Sequence, residues 1–375
     1  QEHAAELRDD RGHRPWCVRH PLQPFDACYF GADRDPRLFS YSSEYAAVRR
    51  AGGAGEWLFS HGSGELPAIA TDSQIELNSI CRYYARPGEW LCRHALGLSR
   101  EALEQDVSED QEALTPAPAR FDRSGIELFW HALQQGWREI PTRPPRHLLH
   151  SGQLAAGAVG GKAFEELRAS AQALLVAARS LPPFSSAAPV AQTRAIDLAI
   201  GQRRLVGAID PLHAHGSDSW LLQVYSGGQV HFGQLLPLYL QWAALSLSDP
   251  HTRYRCALLY RDRKTGAVLH APTEFDADPV QLRSGLGLLL DTFGAAGDHG
   301  GQYFARTSYE YAQALRKHPD EPERALLHAR KVWLGGFGHT GESGYTPGYN
   351  ALLGGSAEFL GAGTEDQRRF ADLAL

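Results

Sequence analysis

Apolar residues recur at helical spacing through the first half of the chain, after a Pro- and Arg-rich stretch without a regular period. From Asp72 the spacing predicts a helix that Pro87 interrupts, because the residue before a proline is pushed out of helical conformation. A second short helix follows from Glu89. Two more helices are predicted at 124–135 and 160–179, where an apolar face repeats every three or four residues.

Strand-like runs replace this spacing in the middle of the chain. The predicted elements are strands at 193–200, 203–210, 219–225 and 254–260, a helix at 234–247 and a short return strand after residue 266. The dipeptide Gly201-Gln202 suits a tight hairpin turn between the first two strands. The order of helix, three strands, helix and strand predicts an α/β fold.

The C-terminal third is predicted to be helical again. Asp278 can cap a helix in which Pro279 takes the first position, where a proline is tolerated. Further helices are predicted at 307–317 and 322–334, and a last one begins at Thr364. These helices are additional to the α/β order of the middle region.

Composition narrows the class of protein. With 375 residues, of which 43% are hydrophobic, the chain can build an ordinary globular core. It has neither a long uncharged apolar run nor a signal peptide, so we expect a cytoplasmic protein without membrane contact. It has no methionine, which is unusual for a globular chain of this size, and the absence of an initiating Met fits a fragment of a longer polypeptide.

Charge and cysteine content limit the possible ligands. A formal charge of −6 means that a nucleic acid must be held by local basic patches, because the summed field of the protein does not attract phosphates. The five cysteines are an odd number without C-x-x-C spacing, which argues against a zinc site and against a disulfide framework. We therefore expect free thiols and no cofactor.

Five segments of the chain resemble one known family. They are HPLQPF at 20–25, LNSICRYYARPGEWLCRHALGL at 77–98, GAVGGKAFEEL at 157–167, AIDLAIGQRRLVGAID at 195–210 and RTSYEYAQAL at 306–315. In this order they resemble the C-terminal part of RecC, the gamma subunit of bacterial exodeoxyribonuclease V (RecBCD). The set covers nearly everything after residue 20.

The resemblance implies a fold, a domain division and partners. The fold is a restriction-endonuclease-like core of the PD-(D/E)xK type, similar to the RecB nuclease, with a mixed sheet flanked by helices. Residues 1–66 would form an extended connector from a preceding helicase-like domain, and residues 67–375 a catalytically inactive nuclease-like domain. The implied partners are RecB-like and RecD-like subunits and the DNA, as a duplex end and as separated strands.

The expected loss of catalysis depends on four positions. Asp210 fits the first carboxylate of such a nuclease, but Gln223 and Tyr225 stand where a second carboxylate and a lysine are needed. Mg²⁺ relies on charged oxygen ligands, which a neutral amide and a tyrosine do not replace near neutral pH. Phe164 stands where the resemblance implies a histidine. We expect no bound metal and no catalytic residue at these positions.

Two other groups of side chains raise the question of a metal site. His213 and His215 would share one face of an extended strand, but in the loop predicted there we expect both to be exposed to solvent. Glu165 and Glu166 would be a source of relocated carboxylates, although adjacent acidic residues usually mark the solvated side of a helix. Structural roles are favoured for both groups.

Basic residues gather around the last predicted strand. They are Arg253, Arg255, Arg261, Arg263 and Lys264, interleaved with Tyr254 and Tyr260. Cations that alternate with aromatic rings are typical of a surface that contacts phosphates and bases. The alternative is an exposed turn without a ligand.

Three functions remain open at this point. The first is a non-catalytic domain that holds partner subunits and guides separated strands in DNA double-strand-break repair and recombination. The second is a divergent Mg²⁺-dependent DNA exonuclease with relocated active-site residues, and the third is a protein-binding module without DNA contact. The missing carboxylate and lysine favour the first.

Overall fold

The computed structural model divides the chain into two units, Gln1–Trp57 and Leu58–Leu375. In the first unit it describes short stretches, chiefly 26–30 and 36–41, with a 3-10 turn at Ala27–Tyr29. In the second unit the described residues are mainly 73–95, 97–98, 118–150, 154–155, 157–185, 189–225, 228–262, 265–271, 278–296, 303–336 and 339–346. The predicted connector and the helix predicted from Thr364 fall mostly outside the described residues.

A six-stranded mixed sheet forms the centre of the second unit. Its strands are β1 (Gln74–Glu76), β2 (Ala191–Ile200), β3 (Arg203–His215), β4 (Asp218–Tyr225), β5 (Arg253–Arg261) and β6 (Val268–Ala271). β3 pairs antiparallel with β2 along most of its length and parallel with β1 near its start. β4 and β5 are parallel neighbours, and β6 pairs antiparallel with the end of β5. The sheet confirms the predicted α/β class.

Helices cover both faces of this sheet. They are α1 (Leu77–Ala85), α2 (Pro87–Ala95), α3 (Pro118–Gln134), α4 (Arg146–His150), α5 (Gly157–Arg179), α6 (Phe232–Ser248), α7 (Pro279–Gly294), α8 (Thr307–Lys317), α9 (Pro322–Leu334) and α10 (Glu342–Tyr345). A two-stranded ladder of β7 (Gly335–Gly336) and β8 (His339–Thr340) follows α9. Among the described residues, no helix is long and apolar enough to cross a membrane.

The apolar runs of β4 and β5 fill two separate cores. Leu221 and Leu258 join a core with α1, α6 and α7, whereas their neighbours Leu222 and Leu259 join a second core with α3 and α5. Successive residues of a strand point to opposite faces, so parallel strands covered on both sides need continuous apolar runs. The two cores therefore lie on opposite faces of the sheet.

Two of the predicted boundaries are wrong because tertiary pairing overrides local preference. Residues 74–76, predicted to begin a helix, instead form β1 against residues 204–206 of β3, and α1 begins only at Leu77. β3 does not end at Asp210 but continues to His215, where it pairs with β4. The β2–β3 hairpin forms as predicted, with a φ of 57° at Gly201.

Candidate nucleic-acid interface

β3 and β4 are paired only near the turn that joins them. The pairs are His213 with Trp220, Ala214 with Ser219 and His215 with Asp218. Asp210 and Gln223 each lie three residues beyond the last pair, where the two strands are no longer paired with each other. They therefore occupy equivalent positions on the two arms of the hairpin.

Asp210 is exposed and lies at an irregularity of the sheet. The register of β2 against β3 shifts there, so that Asp210 and Pro211 stand opposite Thr193 alone. A bulge of this kind tolerates a proline, which has no N–H to donate to the neighbouring strand. The peptide bond between Asp210 and Pro211 is cis.

The histidines beyond Asp210 lie in β3 and not in a loop. His215 is exposed as expected, but His213 is only 3% exposed and packs edge-on against the ring of Phe184 at 4.8 Å. The expectation that both are solvated is therefore wrong for His213. Burial lowers the pKa of His213, and the carboxylate of Asp210 partly opposes this effect. The imidazole of His213 is therefore uncharged at neutral pH.

The other positions of the expected degenerate site are not brought together. Phe164 is 1% exposed in the core of α3 and α5. Tyr225 packs against the opposite core, with its ring 6.2 Å from that of His231. Strand alternation places Gln223 on the same side as Tyr225. The sheet separates Phe164 from the two β4 positions.

No three His, Cys, Asp or Glu side chains are grouped to hold a metal ion in the part of the chain that the structure describes. Glu165 and Glu166 are exposed on α5. Cys81 and Cys256 are free thiols. Burial raises the pKa of Cys81 to about 12, so this thiol stays protonated at neutral pH.

The arginines and tyrosines of β5 face opposite sides of the sheet. The even-numbered Tyr254 and Tyr260 contact the core of α6. The odd-numbered Arg253, Arg255 and Arg261 therefore point to the side of α5. Residues that alternate in the sequence thus do not form one surface of alternating cations and rings.

Arg255 is held by two partners from β4. Its Nε donates a hydrogen bond to the carboxylate of Asp218, and its guanidinium lies 5.6 Å from the centre of the Trp220 ring. The hydrogen bond from Arg255 lowers the pKa of Asp218. The pair is half-exposed, so its contribution to stability is small.

Arg261, at the far end of β5, is also bound within the protein. It donates to the carbonyl of Gly266 at 3.1 Å and to Oγ of Ser170 at 3.0 Å. Arg263 and Lys264 lie outside the described residues. Arg253 and Arg261, at the two ends of β5, are therefore the exposed arginines of the described set, and Arg261 is the one with hydrogen bonds to Gly266 and Ser170.

The first half of β5 borders an open cavity of about 1080 Å³. Arg253 and Arg255 line it, together with Arg283 of α7 and the rings of Trp220 and Phe275. The structure thus gathers two of the predicted basic residues with a third arginine and with aromatic rings. A basic cavity with aromatic walls suits a ligand that carries both an aromatic ring and a negative charge.

Comparison with protein families adds the deciding observation. Residues 72–316 match the model of the RecC C-terminal domain. The match covers more than half of the chain and contains the whole six-stranded sheet. The chain belongs to the RecC C-terminal domain family. The resemblance seen in the sequence is confirmed, and it ties the chain to RecBCD, DNA repair and DNA recombination.

A comparison with individually curated proteins finds no match. All residues that line the cavity lie inside the RecC-matched region, whereas α9 and α10 follow it.

Sequence reasoning missed Arg283 and Phe275. Arg283 lies on a different helix, donates weakly to the carbonyl of Ala199 at 3.5 Å, and is exposed. Phe275 lies between β6 and α7, with its ring 5.1 Å from that of Trp242. No local sequence motif predicts that either residue lies near β5. Tertiary structure brings them there, Phe275 from the segment after β6 and Arg283 from α7. The RecC family match alone does not point to them either.

Proposed function

We propose that this chain is a nuclease-like but non-catalytic domain of a RecC-type subunit of exodeoxyribonuclease V. It holds RecB-type and RecD-type subunits and guides the split DNA during double-strand-break repair and recombination. The β3–β4 hairpin carries the proposal, because Asp210 is matched there by Gln223 and not by a second carboxylate. One carboxylate and one neutral amide give little charge with which to compete for Mg²⁺ against its hydration water.

The order of elements supports a restriction-endonuclease-like core. α5 precedes the β2–β3 hairpin and β4, and α6 leads into β5, which lies parallel to β4. The RecC resemblance implies this order for a PD-(D/E)xK fold. The proposal includes the domain division, with a connector at 1–66 and the nuclease-like domain at 67–375.

DNA contact is proposed for β5 and the turn after it. Arg253 is exposed there. Arg255 and Arg261 use part of their guanidinium groups in hydrogen bonds to Asp218 and Ser170. Arg263 and Lys264 belong to this proposal from the sequence alone. A protein with a net charge of −6 needs such a local patch to hold phosphates.

Metal binding and DNA cleavage by the purified chain test the proposal. Mg²⁺ and Mn²⁺ are titrated by calorimetry, and linear DNA is then incubated with the chain and each metal. We expect no saturable heat and no metal-dependent cleavage, since the site lacks a second charged ligand.

The comparison uses Asp210→Ala and, as a matched control, Asp197→Ala, which removes another exposed carboxylate of the same sheet. Cleavage that Asp210→Ala abolishes and Asp197→Ala preserves would establish the divergent exonuclease instead. Cleavage that neither substitution changes, and that persists at constant specific activity through further purification, would indicate relocated metal ligands and would also contradict the proposal.

A further inference from the structure

The cavity exists because β6 is short. β6 pairs only with residues 258–261, so residues 253–257 of β5 have β4 on one side and the cavity on the other. Its volume of about 1080 Å³ reaches the upper end of what small-molecule sites enclose. There is room for a ligand of nucleotide size.

The open edge of β5 is not suited to a further strand. Nε1 of Trp242 donates to the carbonyl of Tyr254 at 3.0 Å, and Oγ1 of Thr273 donates to the carbonyl of Cys256 at 2.8 Å. Side chains therefore already occupy the hydrogen-bonding edge that an added peptide strand would use. An extended peptide would have to displace both.

The walls of the cavity favour an anion. Arg253 and Arg283 are both exposed, and within the described residues neither forms an ion pair. Two exposed histidines, His251 and His270, also line the cavity, and no described lining residue is acidic. Asp218 forms an ion pair with Arg255, and its carboxylate also interacts electrostatically with Arg253, its direct neighbour across the two strands.

The aromatic walls favour a ligand with a flat face. Trp220 and Phe275 are half-buried and line the cavity. Phe275 is fixed by its contact with Trp242, and Trp220 by the guanidinium of Arg255. Stacking of a base on a held aromatic ring contributes about 1–3 kcal/mol for each base in complexes with single strands.

We infer that this cavity binds a nucleoside phosphate, with its phosphate held by Arg253 or Arg283 and its base against Phe275 or Trp220. This group is carried by single-stranded DNA or by a free nucleotide. The inference deepens the proposed function, on which the choice of DNA as a probe rests. A base in a duplex is already stacked and is not available to the cavity.

Fluorescence anisotropy of the full chain with a labelled oligothymidylate tests the inference. Unlabelled thymidine monophosphate, inorganic phosphate and a blunt duplex serve as competitors. We expect the double variant Arg253→Glu/Arg283→Glu to weaken oligothymidylate binding about tenfold or more and to reduce the salt slope by about 1, the value for the loss of one phosphate contact. Phe275→Ala is expected to weaken binding without a change in the salt slope. Arg330→Glu, an exposed arginine of α9 outside the cavity, is the control and leaves the affinity unchanged.

Competition by the nucleotide assigns the site to free nucleotides as well, and competition by the oligonucleotide alone assigns it to DNA strands; either supports the inference. No binding by the wild-type chain, equal affinity in the folded double variant, or equally good competition by the duplex or by phosphate alone overturns it. A thermal melt of each variant verifies folding. Failure here leaves the scaffold proposal intact, because metal binding and cleavage test that proposal separately.

Discussion

At the scale of single residues, the side chains of His231 and Glu342 cap the starts of two helices. Nδ1 of His231 accepts the backbone N–H of Gly233 at the start of α6, and Gln234 accepts the N–H of His231 in return. Glu342 accepts the N–H groups of Arg306 and Thr307 at the start of α8. Both side chains satisfy N–H groups that a helix start leaves without an intrahelical partner.

The cap formed by His231 makes stability depend on pH. Burial, aided by the charge of Arg306, lowers the pKa of His231 from 6.5 to about 4. The unfolded chain therefore takes up a proton first as the pH falls below 6.5, and the folded state loses stability until the pH reaches about 4. We expect His231 to account for a loss of about 3 kcal/mol in the free energy of unfolding across this range.

Urea unfolding of the wild-type chain and of His231→Asn at several pH values measures this contribution. Asparagine keeps an acceptor for the Gly233 N–H but does not titrate, so the variant should lose stability less steeply below pH 6.5. Parallel curves for the two proteins would contradict the assignment.

At the scale of elements, α1 is set against the sheet by a close approach to β3. Gly207 has a φ of 153°, and a Cβ built there would lie 3.1 Å from Cβ of Leu77, the first residue of α1. Gly207→Ala adds a clash to backbone strain and should lower the free energy of unfolding by about 3 kcal/mol.

The matched control is Gly216→Ala in the β3–β4 turn. Gly216 also has a positive φ, of 60°, but a Cβ added at this position would meet no other atom within 4 Å. Its replacement should cost about 1–2 kcal/mol, from backbone strain alone. Equal losses in the two variants, measured by urea unfolding, would show that the contact with Leu77 does not matter.

The elements that sequence patterns predicted best are those whose burial is set locally. The β2–β3 hairpin follows from alternation around Gly201, and β4 from an apolar run that two cores cover. β1 was not predictable, because residues 74–76 form a strand only through their pairing with β3. The same holds for the burial of His213, which depends on Phe184.

The candidate site was predictable only in part. Arg253 and Arg255 stand out as charges around a strand, whereas Arg283 and Phe275 reach the same cavity from distant parts of the sequence. The short length of β6, which leaves the cavity open, depends on where the chain leaves the sheet. The placement of Asp210, Gln223 and Tyr225 on a β3–β4 hairpin follows the sequence pattern closely.

At the scale of the whole molecule, the RecC family match and the sheet describe one unit with covered faces and a basic edge. The chain carries a net charge of −6, while the cavity at that edge gathers three arginines. Such a distribution suits a domain that meets DNA together with partner subunits, because the chain as a whole does not attract phosphates. The proposed function places DNA and subunit contacts at the sheet edge and the outer surfaces and gives Asp210 no metal role.

The most direct test of this account is DNA cleavage by a complex reconstituted from RecB-type and RecD-type subunits and the full RecC-type subunit. Complexes that carry the wild-type sequence, Asp210→Ala or the control Asp197→Ala are compared for assembly, unwinding and the rate of cleavage. The account predicts the same cleavage rate for all three, since the carboxylate of Asp210 holds no catalytic metal. A complex with Asp210→Ala that assembles and unwinds normally but cleaves more slowly than the control would contradict it.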